Sequence, residues 1–375
     1  MSATLIKEQD VIVYRHEGSY SHNAVVERLP GGELVVIFQE QQRRKHRTHI
    51  DTTSRAMLVR SRDGGLTWDA DGKTIVAAAP NTAIHDPSIC RLQDGTLLVN
   101  FFQWRCTSED EVPDQGVWLR VLDGDHYAWM DGTHITRSRD DGRTWEAPRR
   151  VDSPTGTDTA VSDPVIQLPG GELLMPLYGA YGGEQARVLV VRSRDGGLTW
   201  SEATTVAFDP LGHFEFVEPS LLYLPTGKLI CMIRVHRRPE QEYGYYLYQS
   251  DSYDLGRTWS LPRRTSMWGH PPHLLRLQSG RLLCVYGYRR PPYGVRACLS
   301  HDEGETWDVQ NELILRADGI DPDLGYPTSV QLDDGTIFTV WYLCEPVGSL
   351  ALTGNAFFSY RSPLGYIGGT FYRER

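Results

Sequence analysis

One eight-residue phrase recurs along the chain and restricts its fold more than any other feature. It reads SRDGGLTW at 61–68, SRDDGRTW at 138–145, SRDGGLTW at 193–200, SYDLGRTW at 252–259 and SHDEGETW at 300–307, with the shared form S-x-D-x-G-x-T-W. Successive copies begin 48 to 77 residues apart. Self-similarity at that period, with insertions, marks a repeat architecture built from one small sheet per repeat. The chemistry of the phrase predicts a tight turn between two strands. The Asp carboxylate accepts backbone N–H groups, the Gly supplies a positive φ, and the Trp packs between neighbouring sheets. The five Asp and Trp residues are therefore read as structural.

A second repeat gives the number of units. Six segments join two apolar runs through a glycine turn: AVVERLPGGELVVIF, PSICRLQDGTLLVNFF, PVIQLPGGELLMPLY, PSLLYLPTGKLICMI, PHLLRLQSGRLLCVY and PTSVQLDDGTIFTVWY. The turns fall at Gly32, Gly95, Gly171, Gly227, Gly280 and Gly335. Each segment predicts a β-hairpin, and its continuous apolar runs suit strands buried on both faces. Six hairpins predict an all-β, six-bladed β-propeller occupying residues 1–375 as one domain. The sixth blade, near TGNAFFSYRSP, lacks the turn phrase, and the N-terminal DVIVY is expected to supply its outer strand and close the ring.

The remaining composition excludes several functions. A net charge of −10 argues against a nucleic-acid partner. No apolar run is long enough to span a bilayer. MSATLIKEQD has no basic region followed by an apolar stretch, so no signal peptide and a cytoplasmic location are expected. Cys90, Cys106, Cys231, Cys284, Cys298 and Cys344 form no CxxC pair and no zinc spacing, and are read as reduced thiols. Oligomeric state is not encoded in any pattern of the chain. The insertion at 104–135, rich in Asp, Trp and Tyr, is expected to form a lid or an interface.

In a propeller the inner strands begin at one mouth, so the residues just before each hairpin converge there. These opening segments contain Ser21, His22 and Asn23; His85 and Asp86; Ser162 and Asp163; Val217 and Glu218; His270 and His273; Gly325 and Tyr326. So many titratable groups at one concave place form a candidate site. Asp86 and Asp163 precede proline, where a carboxylate also serves as ordinary turn chemistry. The histidines follow blade periodicity instead of a ligand motif, so neither a metal nor another cofactor is expected.

The turn phrase and the six hairpins together resemble the sialidase (neuraminidase) superfamily over essentially the whole chain. The resemblance implies a Tyr nucleophile activated by a Glu, an Asp acid/base, and three arginines that hold the substrate carboxylate. Tyr326 in GYPTSVQL, Glu218 in VEPSLLYL, Arg234 in LICMIR and Asp51 in HIDTTSRAMLV stand in the corresponding places. Arg290 or Arg296, which share strand parity in YRRPPYGVRACLS, corresponds to the third arginine. At the first blade the family carries an arginine and this chain has His22, which offers neither a permanent charge nor a bidentate grip.

The implied function is exo-glycoside hydrolysis of a terminal, acidic sugar with retention. Tyr326 attacks the anomeric carbon, Glu218 takes its proton, and Asp51 protonates the leaving oxygen. His22, Asp86, Asp163, Arg234, His270 and Arg290 or Arg296 bind substrate. Two alternatives stay open: elimination on a uronic acid sugar, and carbohydrate binding without catalysis. Trp104, Trp129 and Trp268 are read as packing residues before sugar-stacking ones.

Overall fold

The computed structural model describes residues 4–113, 119–123, 126–152, 159–179, 186–237, 245–347 and 363–375. The chain opens with β1 (Leu5–Tyr14). Blade one is β2 (Ser19–Arg28), β3 (Leu34–Gln42), β4 (Arg55–Ser61) and β5 (Thr74–Ala77). Blade two is β6 (Thr82–Arg91), β7 (Leu97–Ser108), β8 (Leu119–Asp123), β9 (His126–Ser138) and β10 (Arg149–Arg150). Blade three is β11 (Ile166–Gln167), β12 (Leu173–Gly179), β13 (Arg187–Ser193) and β14 (Ser201–Ala207). Blade four is β15 (Phe214–Tyr223), β16 (Leu229–Arg237), β17 (Tyr246–Ser252) and β18 (Arg263–Trp268). Blade five is β19 (Pro272–Arg276), β20 (Leu282–Tyr288), β21 (Gly294–Ser300) and β22 (Leu313–Arg316). Blade six is β23 (Gly325–Gln331), β24 (Ile337–Glu345), β25 (Leu364–Glu374) and the returning β1.

The described strands form six antiparallel sheets, and the ring closes as the sequence predicts. β1 pairs antiparallel with β25 from Leu5↔Glu374 to Tyr14↔Ile367, so the last blade is stitched from both ends of the described chain. This removes a free edge that would otherwise offer unpaired N–H and C=O groups. The segment expected to have lost the turn phrase lies, apart from Pro363, outside the described residues.

The apolar runs are continuous because each sheet is covered on both faces. Buried clusters fill every seam: Phe38 with Val340 and Phe371 between blades one and six, Leu58 with Phe101 between one and two, and Leu98 with Leu177 between two and three. Val190 meets Ile233 between three and four, Met232 meets Tyr286 between four and five, and Val285 meets Trp341 between five and six. All six cysteines are free thiols, five of them buried, and Cys90, Cys231, Cys284 and Cys298 lie in these seams.

The turn phrase joins the third and fourth strands of five blades, and its atoms do what its chemistry predicts. In blade three, Asp195 accepts hydrogen bonds from Ser193 Oγ (2.7 Å), Leu198 N (2.9 Å), Thr199 N (3.0 Å) and Thr199 Oγ1 (2.5 Å). Gly197 has φ +85°, and a Cβ there would lie 2.6 Å from Leu98 Cδ1 of the preceding blade. The Trp residues reach the same preceding blade: Trp68 stacks on Phe338 at 5.9 Å, and Trp307 Nε1 donates to Gln249 Oε1 at 3.0 Å.

Antiparallel order fixes which end carries the site. The first-to-second and third-to-fourth turns of every blade share one end. The starts of the inner strands and the second-to-third connections share the other. In blade two that connection is lengthened: β7 and β9 continue their ladder to Ser108↔His126, and β8 adds to β9. The insertion is thus a projecting β-ribbon on the mouth side, with Leu119 and Val121 exposed.

Candidate active site at the mouth of the propeller

Each inner hairpin is anchored by a leucine whose N–H bonds to the carbonyl across its glycine turn, as Leu224 N does to Lys228 O at 2.8 Å. Counting six residues back from Leu29, Leu92, Leu168, Leu224, Leu277 and Leu332 reaches Asn23, Asp86, Ser162, Glu218, Pro271 and Tyr326. Four of these six have left-handed backbones: Asn23 (φ +52°), Asp86 (+49°), Glu218 (+46°) and Tyr326 (+43°). At each one the ladder to the second strand slips register. A bulge with a non-glycine residue at positive φ costs about 1–3 kcal/mol and re-aims one side chain, here toward the axis. A small cavity of about 10 Å³ lies on that axis, lined by Asn23, Asp86, Ser162, Asp163, Pro271 and Tyr326 among others.

In blade three the ring position belongs to Ser162, not Asp163. The Asp163 carboxylate instead meets His273 Nδ1 from blade five at 3.0 Å. Asp86 accepts a hydrogen bond from Asn23 Nδ2. Burial, and next the nearby Glu218 charge, push the Asp86 carboxyl well above the ordinary carboxylate range.

Glu218 and Tyr326 meet across the ring. Tyr326 Oη donates to Glu218 Oε1 at 2.7 Å. Arg234 Nη1 donates to both Glu218 oxygens, at 2.8 and 2.6 Å. Burial opposes the Glu218 charge, but Arg234 and the Tyr326 hydroxyl outweigh it and hold the carboxyl below its usual range. Tyr326 is pushed well above a free phenol by burial, then by Glu218 and Asp86. The resting pair is a protonated phenol on an ionised carboxylate, and Glu218 is poised to take the phenolic proton.

A further arginine beside Tyr326 is one that strand parity does not select. β20 ends at Tyr288 and β21 begins at Gly294, so Arg289 and Arg290 lie in the connecting loop, where two-residue alternation no longer applies. Arg289 donates from Nε (3.1 Å) and Nη2 (2.9 Å) to Leu324 O, and its guanidinium lies 5.7 Å from the Tyr326 ring centre. Its charge acts on Asp86, Glu218 and Tyr326 alike. Arg290 stacks on Trp268 at 4.2 Å and bonds Tyr288 Oη at 2.6 Å. Arg296 is 3% exposed and turned into its blade, donating to Arg316 O at 2.8 Å beside Glu312. The adjacency of Arg289 to Arg290 in YRRPP was the only signal available.

Three buried histidines of the mouth, His22, His85 and His270, are neutral. His22 is completely buried, neither ring nitrogen has a hydrogen-bond partner among the described residues, and burial together with His49 pushes its pKa down to about 3. Burial likewise holds His85 and His270 well below the ordinary imidazole range. None of the three supplies a charge for a carboxylate. Trp104 and Trp268 are buried packing residues.

Asp51 sits in the loop between β3 and β4, on the mouth side. Arg44 grips it with a fork, Nε to Oδ2 at 2.6 Å and Nη2 to Oδ1 at 3.0 Å, and Thr53 donates its N–H (2.9 Å) and hydroxyl (2.6 Å) to Oδ1. Burial raises the carboxyl, Arg44 and Thr53 lower it more, and the net direction is down.

The chain resembles known proteins at several levels. A sialidase from Bacteroides fragilis (strain YCH46) is 24% identical over 86% of this chain, and the chain spans 60% of that relative's length. A protein of unknown function from Dyadobacter fermentans has the same fold with a TM-score of 0.84 at 26% identity, covering 99% of this chain and all of the other. A Trypanosoma rangeli sialidase in complex with sialic acid superposes with a TM-score of 0.62 at 14% identity, over 100% of this chain and 59% of its own. An α-L-arabinanase from Penicillium chrysogenum does so equally, at 0.62 and 14%, over 97% and 98%. The fold is the six-bladed sialidase-type propeller, shared by enzymes with different sugars. The BNR repeat-like domain profile matches residues 112–339, more than half of the sequence, and the chain belongs to the BNR repeat-like family.

Proposed function

We propose that the protein is an exo-acting glycoside hydrolase that works through a tyrosyl glycosyl-enzyme. The observation that carries this reading is the Tyr326–Glu218–Arg234 chain, with Tyr326 Oη 2.7 Å from Glu218 Oε1. A phenol is a poor nucleophile while protonated, and a carboxylate within hydrogen-bond reach removes the proton as the bond to carbon forms. A neutral nucleophile also avoids the repulsion that a carboxylate would meet from an acidic sugar. Further support comes from the Bacteroides relative, and from a Trypanosoma rangeli sialidase of the same fold whose complex with 2,3-difluorosialic acid is a covalent intermediate.

In the reaction, Tyr326 Oη attacks the anomeric carbon while its proton passes to Glu218. Arg234 and Arg289 face the sugar with positive charge and favour an anionic or strongly polar substituent. The leaving oxygen needs a proton, and chain order nominates Asp51. Water then attacks the same carbon and gives a proton to the residue that protonated the leaving oxygen, while the bond to Tyr326 breaks and the proton on Glu218 returns to its hydroxyl. With His22 neutral where the family resemblance implies an arginine, two cations instead of three address the substituent, so the expected substrate is a terminal acidic sugar held less tightly than by a three-arginine clamp.

Hydrolysis of aryl sialosides, uronides and neutral deoxyglycosides tests this reading. The expected outcome is turnover of one acidic sugar by wild type and its loss in Tyr326→Phe. Absence of hydrolysis across the panel, with an unsaturated product formed from a uronate polysaccharide, would replace hydrolysis by elimination.

A further inference from the structure

Beside the Tyr326–Glu218 pair lies a second acid–base assembly that the reading above leaves unused. Asp323, just before β23, is 7% exposed and sits between blades six and one. It accepts hydrogen bonds from Tyr20 Oη and from Tyr342 Oη (2.8 Å), and pairs with Arg47 Nη1 at 3.0 Å. The Cys344 thiol lies 3.9 Å from Oδ2, and His49 Nε2 lies 3.2 Å from Oδ1 and 3.4 Å from Oδ2. His49 belongs to the same mouth loop as Asp51, yet its side chain is 45% exposed. Its ring lies 5.0 Å above the buried His22 ring at an interplanar angle of 26°. Tyr342, which bonds Asp323, stands 6.1 Å from Tyr326, ring centre to ring centre. The nucleophile and this dyad therefore share one wall of the mouth.

We propose that His49, oriented by Asp323, is the proton donor to the leaving group and the base for the incoming water, in place of Asp51; this rests on the Tyr326–Glu218 reading. An ionised carboxylate only accepts, so Asp323 fixes the proton of His49 on Nε2 and leaves Nδ1, which has no partner among the described residues, as the reacting nitrogen. In the first step the Nδ1 proton passes to the glycosidic oxygen as its bond to the anomeric carbon breaks and the Tyr326 bond forms. In the second, neutral Nδ1 takes a proton from water as the water oxygen displaces Tyr326. Asp51 is ill suited to the first step. Its four accepted hydrogen bonds stabilise the form that has no proton to give, and an acid must be protonated at rest.

Leaving-group dependence separates the two residues. The probes are the 4-nitrophenyl and methyl glycosides of the sugar that wild type cleaves. A nitrophenolate departs with little protonation and methoxide does not. His49→Ala, at a half-exposed position, is expected to retain nitrophenyl hydrolysis within about tenfold and to lose methyl glycoside hydrolysis by about 10²–10⁴-fold. Asp323→Asn should show the same pattern in weaker form, as a positioning residue. Asp51→Asn should leave the ratio of the two rates unchanged. Equal loss on both probes in His49→Ala, or selective loss in Asp51→Asn, overturns the proposal while Tyr326→Phe still tests the nucleophile. Wild type that cleaves no glycoside removes the glycosidase reading and this inference together.

Discussion

The two ends of the propeller are built by opposite rules. At the turn end, five blades repeat one solution: a Ser–Asp–Gly–Thr–Trp turn whose hydrogen bonds recur with the same partners and nearly the same lengths, as at Asp63, Asp140, Asp195, Asp254 and Asp302. At the mouth, the six equivalent positions carry six different residues, Asn23, Asp86, Ser162, Glu218, Pro271 and Tyr326. Repetition serves packing, because every seam presents the same problem. Divergence at symmetric positions serves chemistry, because a reacting sugar has no sixfold symmetry. The mouth also holds neutral buried imidazoles and an Asp86 held out of its ordinary range, beside left-handed backbones of the kind that Asp141, Leu255 and Glu303 show at the turns. Such strain persists only where surrounding structure enforces it, which the uniform end provides.

This contrast breaks first, if it breaks, at the nucleophile. Tyr326→Phe removes one hydroxyl from a position that sealing of the mouth does not depend on. It is expected to lower kcat/KM by about 10³-fold or more with an unchanged melting temperature, read from initial rates and thermal unfolding on the same preparation. A large fall in stability would make Tyr326 a packing residue like those at the other end.

The next largest effect is on acid stability. His22 is neutral in the folded protein down to about pH 3, whereas the unfolded chain binds its proton near the ordinary imidazole value of about 6.5. Its contribution to stability is therefore complete above that value and is lost progressively as pH falls toward 3. Thermal unfolding of His22→Phe across this window should show a loss on acidification smaller than in wild type by a few kcal/mol. An identical acid dependence would mean that His22 is solvated.

At the turn end, Asp195→Ala removes the acceptor of four hydrogen bonds at an exposed turn. A cost of about 1–2 kcal/mol with catalytic rates intact is expected from denaturant unfolding and steady-state kinetics. The smallest effect sharpens the same distinction. The residue after the phrase's Asp is Gly in two copies and Leu255 in another, where φ is +60°. Leu255→Gly should stabilise by up to about 1 kcal/mol, since relief of a left-handed leucine exceeds the entropy of a freer unfolded chain. A loss of stability there would show that the Leu255 side chain contributes packing that its partial exposure hides.

Several mouth residues were legible before any coordinates because blade periodicity carries them to one place. Glu218 and Tyr326 fall six residues before their anchoring leucines and meet as their residue types suggest. The same count, applied strictly, reaches Ser162 in blade three, but the Asp–Pro pair drew attention to Asp163, one residue on. Arg289 was hidden because alternation of side chains is a property of strands, and β20 stops at Tyr288. Arg296 does lie in a strand, but parity names a face of the sheet and not how far along the blade the side chain sits. The His49–Asp323 contact joins residues 274 positions apart, in two loops with no periodic signal.

What the sequence by itself determined is whatever local chemistry repeats: the number of blades, the turn that ends each third strand, the glycines its geometry needs, and the six places where inner strands begin. These follow from hydrogen-bond capacity, φ preference and burial pattern, all of which are read over a few residues. What only the tertiary structure decided is which side chains face one another at the mouth and in which charge state: Arg44 on Asp51, Arg234 on Glu218, Arg289 beside Tyr326, Asp323 beneath His49. Those depend on loop paths across the ring and on desolvation by the whole assembly, and neither quantity exists until the six blades have closed.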